Sequence, residues 1–96
     1  MIGSLKDAAL ETFYFEGSSH RTRRIPKELH AVLRRKLDQL YNALDINDLR
    51  VPPGNRLEAL RGRWQGWHSV RVNDQWRIVF RWQGDAAYDV SFTDYH

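Results

Sequence analysis

The residues of this chain that could do chemistry are arginines, one glutamate and the ending Asp94-Tyr95-His96. Arg71 and Arg77 stand in stretches where charged and apolar residues alternate, and Glu58 lies in a basic stretch before them. A guanidinium held on a strand is a permanently charged fork that suits phosphate. Carboxylate, phenol and imidazole groups can accept or donate a proton at a reacting atom. Together these groups predict a site for a phosphate-bearing ligand.

The composition excludes several other kinds of active site. The chain has no cysteine, no glycine-rich phosphate loop and no serine nucleophile motif. Its four histidines (His20, His30, His68 and His96) lack metal-ligand spacing, so we expect neither a metal nor another cofactor. Cleavage of RNA requires no nucleophile from the protein, because the 2′-OH of the RNA can attack the adjacent phosphate. Cleavage then requires a base for the hydroxyl proton, an acid for the leaving 5′-oxygen and cations for the phosphorane.

Positive charge is concentrated in two blocks. The 96 residues carry a net charge of +3, but residues 17–36 carry +6 and residues 50–82 carry +5, while the other segments are acidic. Two such blocks predict a polyanionic partner, and nucleic acid fits best; the alternative is a solvated basic surface. No run of about 18 apolar residues occurs, so we expect no membrane span. The first residues lack a signal-peptide apolar region and cysteine is absent, so we expect a cytoplasmic protein.

A β-hairpin over residues 70–82 is the element that must position the arginines. Its Val, Ile, Phe and Trp residues favour strands, and Asn73-Asp74 favours a turn. We expect the register that pairs Val70 with Ile78 and Arg71 with Arg77, because it separates apolar from cationic side chains. The apolar face then carries Trp76, Ile78, Phe80 and Trp82, with Arg77, Val79 and Arg81 on the other face.

The remaining segments predict an α+β fold in the order β-α-α-β-β-β-β, in which residues 1–96 form a single domain. Leucines at three- and four-residue spacing from Leu29 to Leu44 predict a long second helix that begins at Pro26. Gly17 to Arg24 is polar and basic, and predicts a mobile loop that contacts a partner or serves as a plain linker. The other expected elements are a short strand at 1–5, a helix from Asp7 to Phe15, strands at 56–60 and 67–72, and a last strand at 87–93 with Tyr88, Val90 and Phe92 on its core face.

Three motifs follow one another through the second half of the chain. They are Asn55-Arg56-Leu57-Glu58-Ala59-Leu60-Arg61-Gly62, then Ser69-Val70-Arg71-Val72-Asn73-Asp74-Gln75-Trp76-Arg77-Ile78, then Asp94-Tyr95-His96. In this order and spacing they resemble the HigB-type toxins of the RelE/ParE superfamily, and the similarity covers essentially the whole chain. The stretch from Pro52 to Leu60 resembles the GraT-like members especially.

This resemblance implies a RelE-like fold, with two N-terminal helices packed on one face of a curved, mainly antiparallel sheet. It implies a toxin of a type II toxin–antitoxin system, namely a ribosome-dependent, metal-independent mRNA endonuclease that inhibits translation. It also implies a HigA-type helix-turn-helix antitoxin through which the toxin contacts operator DNA. Two alternatives are a non-catalytic ParE-type toxin that acts on DNA gyrase, and a weakly active toxin that serves as an operon co-regulator.

The resemblance also implies roles for individual residues. Arg77 matches the phosphate-stabilising arginine, and the ending Asp94-Tyr95-His96 matches a motif used for substrate positioning and proton transfer. Glu58 stands where well-studied HigB toxins have a histidine, so we expect either slower cleavage or a transfer of the base role to His96. The residues expected to hold the substrate backbone are Arg56, Arg61 and Arg71.

Each of these assignments has a structural alternative. Arg77 could form an ion pair with Asp89 or Asp94, and Glu58 could balance a neighbouring arginine. The last three residues could form a frayed tail, as chain termini often do.

Overall fold

Two α-helices and a four-stranded antiparallel sheet make up the regular structure of residues 1–94, which are the residues that a computed structural model of the chain describes. The strand order is β1-β2-β3-β4, and each strand is antiparallel to the next. The α+β architecture expected from the sequence is confirmed. The elements are α1 (Ala8–Glu16), α2 (His30–Asn42), β1 (Glu58–Ala59), β2 (Trp67–Arg71), β3 (Trp76–Gln83) and β4 (Ala86–Asp94).

The core lies between the helices and one face of the sheet. Leu33, Leu37 and Leu40 are buried along one side of α2, as their spacing predicts. Ile78 and Phe80 of β3 are buried in the same cluster. Because both layers share one core, the opposite face of the sheet, which we call the front face, is left for other contacts.

The second helix is shorter at both ends than its leucine spacing predicts. A 3₁₀ turn at Lys27–Leu29 precedes α2, and the helix ends at Asn42. Leu44 therefore lies beyond the helix and is 64% exposed, so the prediction that the helix extends to Leu44 was wrong. No helix within residues 1–94 is long and apolar enough to cross a bilayer.

The hairpin register expected from the sequence is confirmed. Val70 is opposite Ile78, and Arg71 is opposite Arg77. The backbone N–H of Val72 donates to the carbonyl of Trp76 at 2.9 Å, which closes the turn. The register follows from the pattern because a shift of one residue would move every apolar side chain to the front face.

A β-bulge in β4 overturns the expected orientation of Tyr88. Val79 pairs with Ser91 but Arg81 pairs with Tyr88, so β4 contains one more residue than β3 between these two pairs. Asp89 adopts a left-handed conformation with φ of 53°, which aspartate tolerates better than most residues. Tyr88 therefore lies on the front face beside Arg81, not in the core as its spacing from Val90 and Phe92 predicted.

Residues 1–5 lie beside β4 but do not form the regular strand expected from the sequence. Two isolated parallel bridges join Ile2 to Ala87 and Leu5 to Val90. Between them, the backbone N–H of Asp89 donates to the Ser4 hydroxyl at 2.8 Å. The bulge thus interrupts the ladder, because it directs a backbone donor to a side chain.

The loop expected at Gly17 to Arg24 contains regular structure. Residues His20–Thr22 form a 3₁₀ turn capped by Ser19, and Thr22 is buried. Arg24 forms an ion pair with Asp7, which caps α1 as expected by accepting from the backbone of that helix. Local hydroxyl caps and one long-range ion pair therefore give this loop a short 3₁₀ turn, while its expected mobility stays a prediction.

Candidate active site

Three rows of side chains cross the front face of the sheet. Residues directly opposed in antiparallel strands project to the same face, so the strand register defines each row. We call them the arginine row, the central row and the aromatic row. The arginine row is Arg71, Arg77 and Thr93; the central row is Ser69, Val79 and Ser91; the aromatic row is Trp67, Arg81 and Tyr88.

The side chain of Arg77 reaches across the neighbouring strand. Its Nη2 donates to the backbone carbonyl of Arg56 at 2.6 Å. Arg56 directly precedes Leu57 and β1, whereas Arg77 lies on β3, so the Arg77 side chain passes over β2. Arg56 has a left-handed backbone with φ of 45°. This hydrogen bond holds the Arg77 guanidinium at the carbonyl of Arg56, two residues before Glu58, where β1 begins.

Arg71 forms an ion pair with Asp74 in the turn of its own hairpin. The Asp74 side chain is 99% exposed and that of Arg71 is 32% exposed. Ion pairs this open to water contribute little free energy. A phosphate can therefore compete with Asp74 for Arg71, and Arg71 remains a candidate for binding substrate.

Glu58 lies on the front face at the outer edge of the sheet. It is opposite Ser69 and lines a shallow pocket together with Ala59, Leu60 and Arg61. In the part of the chain that the structure describes, no ion pair joins Glu58 to Arg56 or Arg61, so the structure does not support the view that Glu58 only balances a neighbouring charge. Its exposed carboxylate is free to meet a substrate.

Ser69 is a polar residue of the front face that the sequence analysis did not select. Its side chain is fully buried, and its hydroxyl has no hydrogen-bond partner among the described residues. It sits directly opposite Glu58 in the register. The alternation of β2 places Ser69 between Trp67 and Arg71, which would have been enough to assign it to this face.

Asp94 ends β4 one position beyond the arginine row. It is opposite Trp76, whereas Thr93 is opposite Arg77. The Asp94 carboxylate accepts a hydrogen bond from Gln75 Nε2 at 3.0 Å. The strand register therefore assigns Asp94 to the same face of the sheet as Trp76, opposite to the front face that carries Arg77. Asp89, the other ion-pair partner suggested for Arg77, lies 3.9 Å from Arg81 instead. The predicted site residues Tyr95 and His96 lie outside the described residues.

A buried polar cluster holds the segment that leads into β1. Lys36 Nζ donates to Asn55 Oδ1, and the Asn55 Nδ2 donates to Gln39 at 3.0 Å and to the carbonyl of Leu49 at 3.1 Å. Burial, with the nearby charges of Arg35 and Arg71 second, lowers the pKa of Lys36. The spacing of Lys36 from the leucines before and after it in α2 could have indicated that this lysine is buried. The cluster positions the backbone of residues 56–58.

Solved structures share this fold. The YoeB–YefM complex from Staphylococcus aureus superposes on the chain with a TM-score of 0.61 at 16% identity, covering 100% of this chain and 98% of that one. At this identity the likeness concerns the fold alone. It confirms the RelE-like α+β class that the sequence motifs imply.

Sequence comparison shows the family. A family model described as "RelE-like toxin of type II toxin-antitoxin system HigB" matches residues 3–96. The chain is 45% identical over 87 residues to Toxin HigB-1 of Vibrio cholerae, covering 91% of this chain and 90% of that protein. It is 28% identical over 96 residues to Endoribonuclease HigB of Proteus vulgaris, covering 100% of both. The chain therefore belongs to the HigB-like toxin family.

Proposed function

We propose that this chain is a ribosome-dependent endoribonuclease that cleaves mRNA and thereby inhibits translation. The observation that carries the proposal is the reach of Arg77 across β2 to the carbonyl of Arg56, which brings one guanidinium to the residue two before Glu58 on the front face. The full-length similarity to a protein named Endoribonuclease HigB supports the reaction class.

The proposed reaction uses the substrate's own hydroxyl as nucleophile. Glu58 removes the proton from the 2′-OH, the 2′-oxygen bonds to phosphorus, and the bond from phosphorus to the 5′-oxygen breaks. Tyr95 or His96 supplies the proton that neutralises the leaving oxygen, since the register assigns Asp94 to the Trp76 side of the sheet, and a 2′,3′-cyclic phosphate remains. Arg77 stabilises the negative charge that builds up on the phosphorane. The side chains proposed to hold the RNA backbone are those of Arg56, Arg61 and Arg71.

The shape of the site supports the proposed dependence on the ribosome. The pocket beside Glu58 is shallow and lies at the edge of the sheet, between β1 and the turn that follows it. Such a surface can bind phosphates but does little to align a flexible strand for in-line attack. An mRNA held in the ribosomal A site would arrive already oriented, and alignment of this kind can lower a barrier by several kcal/mol.

The partners proposed for the chain follow from its family. A type II toxin is neutralised by an antitoxin, and we propose a HigA-type helix-turn-helix protein in that role. The YoeB–YefM complex is itself a toxin–antitoxin assembly with this fold, which supports a protein partner. Contact with operator DNA would run through the antitoxin, and the toxin would act in the cytoplasm, where ribosomes translate mRNA.

The test is primer extension on mRNA incubated with the purified protein, with and without 70S ribosomes. We expect cuts only with ribosomes, and a loss of at least about 100-fold in Arg77→Ala, as for other groups that stabilise transition-state charge. Arg35→Ala is the control, because it removes the same charge from an exposed position on α2. Cuts without ribosomes would support the endoribonuclease activity and contradict its dependence on the ribosome. No cuts with ribosomes would favour the DNA gyrase alternative.

A further inference from the structure

The aromatic row lies on the same face as the proposed active site but takes no part in the proposed reaction. Trp67, Arg81 and Tyr88 follow each other across β2, β3 and β4. Arg71 lies four positions after Trp67 along β2, which corresponds to about 13 Å along an extended strand. Between the two rows, Ser69 and Val79 are fully buried.

The bulge in β4 is what creates this row. Without the extra residue, the alternation of β4 would direct Tyr88 into the core together with Val90. Instead Tyr88 is 37% exposed and forms a cleft of about 400 Å³ with Gly66, Arg81 and Asp89, among other residues. Bulges are often found beside functional sites, where they redirect one side chain. Exposing a large aromatic side chain in this way serves no purpose for the core.

Two cations lie near one aromatic ring of the row, that of Trp67. Lys6 Nζ is 5.8 Å from the centre of the Trp67 ring, and the Arg81 guanidinium is 6.0 Å from it. Trp64 contacts Trp67 edge to face, with ring centres 5.3 Å apart. The Arg81 side chain is 59% exposed. Interleaved aromatic and cationic side chains on an open surface are the usual means of binding single-stranded nucleic acid, because bases stack on the rings while cations meet the phosphates.

We propose that the aromatic row, with Trp64, is a second binding surface for single-stranded RNA, on which bases stack while the arginine row holds phosphates of the same strand. The proposal rests on the proposed function, because it assigns RNA to the front face. It extends that function by defining a contact some distance from the scissile bond. The alternative is that these rings only cover the end of the sheet.

The test measures binding without cleavage. The ligand is a fluorescently labelled 2′-O-methyl RNA, which has no free 2′-OH, and the comparison ligand is an abasic oligomer with the same number of phosphates. We expect the full chain to bind the base-bearing oligomer more tightly. Tyr88→Leu and Trp64→Leu should each weaken that binding about tenfold and leave the abasic oligomer unaffected, since stacking on one ring contributes roughly this factor.

Matched controls separate stacking from other effects. Tyr41→Leu removes an exposed tyrosine of α2, on the helical layer, and should bind both oligomers like the wild type. Arg77→Ala should weaken both oligomers alike, because it removes a phosphate contact. Thermal unfolding of each variant shows that it is folded, and two independent aromatic variants guard against a local collapse in one of them.

The outcomes distinguish this proposal from the proposed function. Equal affinity of the wild type for both oligomers, no binding of either, or unchanged base preference in both aromatic variants would each overturn the stacking surface. If the protein prefers the base-bearing oligomer but does not cut mRNA on ribosomes, the stacking surface is supported and the nuclease is rejected. If the protein cuts mRNA on ribosomes but shows no base preference, the nuclease is supported and the stacking surface is rejected.

Discussion

The ammonium group of Lys36 on α2 donates a hydrogen bond to the side-chain carbonyl of Asn55, and both side chains are almost completely buried. Asn55 immediately precedes Arg56, whose carbonyl accepts from Arg77, and lies three residues before Glu58. One buried contact thus connects the helical layer to the backbone of the proposed active site. The helix positions the site although it contributes no residue to it.

Asn55→Ala should reduce both stability and activity. It removes the acceptor of a buried cation and the donor to the Leu49 carbonyl, so we expect a loss of roughly 3 kcal/mol in the free energy of unfolding. Urea denaturation measures the change. Lys36→Met should cost less, because a methionine in the same space needs no partner for a charge. Asn47→Ala, at an exposed asparagine, is the control; equal losses in Asn47→Ala and Asn55→Ala would refute the special role of Asn55.

Asp7 holds three parts of the fold with one carboxylate. It accepts from the backbone N–H groups of Ala9 and Leu10, accepts from Phe92 at 3.2 Å, and pairs with Arg24. Asp7→Ala should therefore cost about 3 kcal/mol, well above the approximately 1 kcal/mol of an ordinary helix cap. Asp7→Asn keeps an oxygen for the cap and should cost less. If both variants cost no more than an ordinary cap, the ion pair and the link to β4 contribute nothing.

Gly3 makes room for the ring of Tyr88. A Cβ at residue 3 would overlap the Tyr88 ring, whereas a Cβ at Gly54 would meet open space. Gly3→Ala should lower the free energy of unfolding by about 1–2 kcal/mol and weaken the base preference of RNA binding, because the ring must move. Gly54→Ala, the matched control, should change neither quantity. Calorimetry and the oligomer assay check both expectations, and a neutral Gly3→Ala would show that the ring adapts freely.

His68 makes part of the stability depend on pH. It lies on the helix-facing side of β2 with its ring stacked on Phe80 at 6.0 Å, and burial lowers the pKa of His68 from its ordinary value of 6.5. As the pH falls below 6.5, the unfolded chain binds this proton first, so the free energy of unfolding decreases as the pH falls through the lowered value. His68→Gln should flatten the stability profile between about pH 7 and pH 5. An unchanged slope in urea titrations would contradict the assignment.

Glu58 is proposed as the general base, and the residue type can be tested directly. Glu58→Gln keeps the shape but cannot take a proton, so ribosome-dependent cleavage should fall by about 100-fold or more. Glu58→His supplies the imidazole that the resemblance associates with this position, and should cleave at least as fast as the wild type. Single-turnover primer extension measures both. Full activity in Glu58→Gln would transfer the base role to another group.

Much of the fold could be predicted because its determinants are local or periodic. The leucine spacing of α2 and the alternation of residues 70–82 each identify a buried face without any knowledge of the partner layer. The same alternation predicted that Arg71 and Arg77 are opposite each other, because only one register buries the apolar side chains. The family motifs and the arginines of the proposed site were therefore readable from the chain.

The sequence by itself determined most of the core residues, with Tyr88 an exception, and which arginines share a face. Only the tertiary structure decided that Asp89 forms a bulge and exposes Tyr88, that Asn55 binds a buried lysine, and that Arg77 reaches the Arg56 carbonyl. The reason is physical. Periodicity records the average environment of each side chain, whereas bulges, buried polar contacts and hydrogen bonds across strands depend on atoms that are brought together only when distant segments pack.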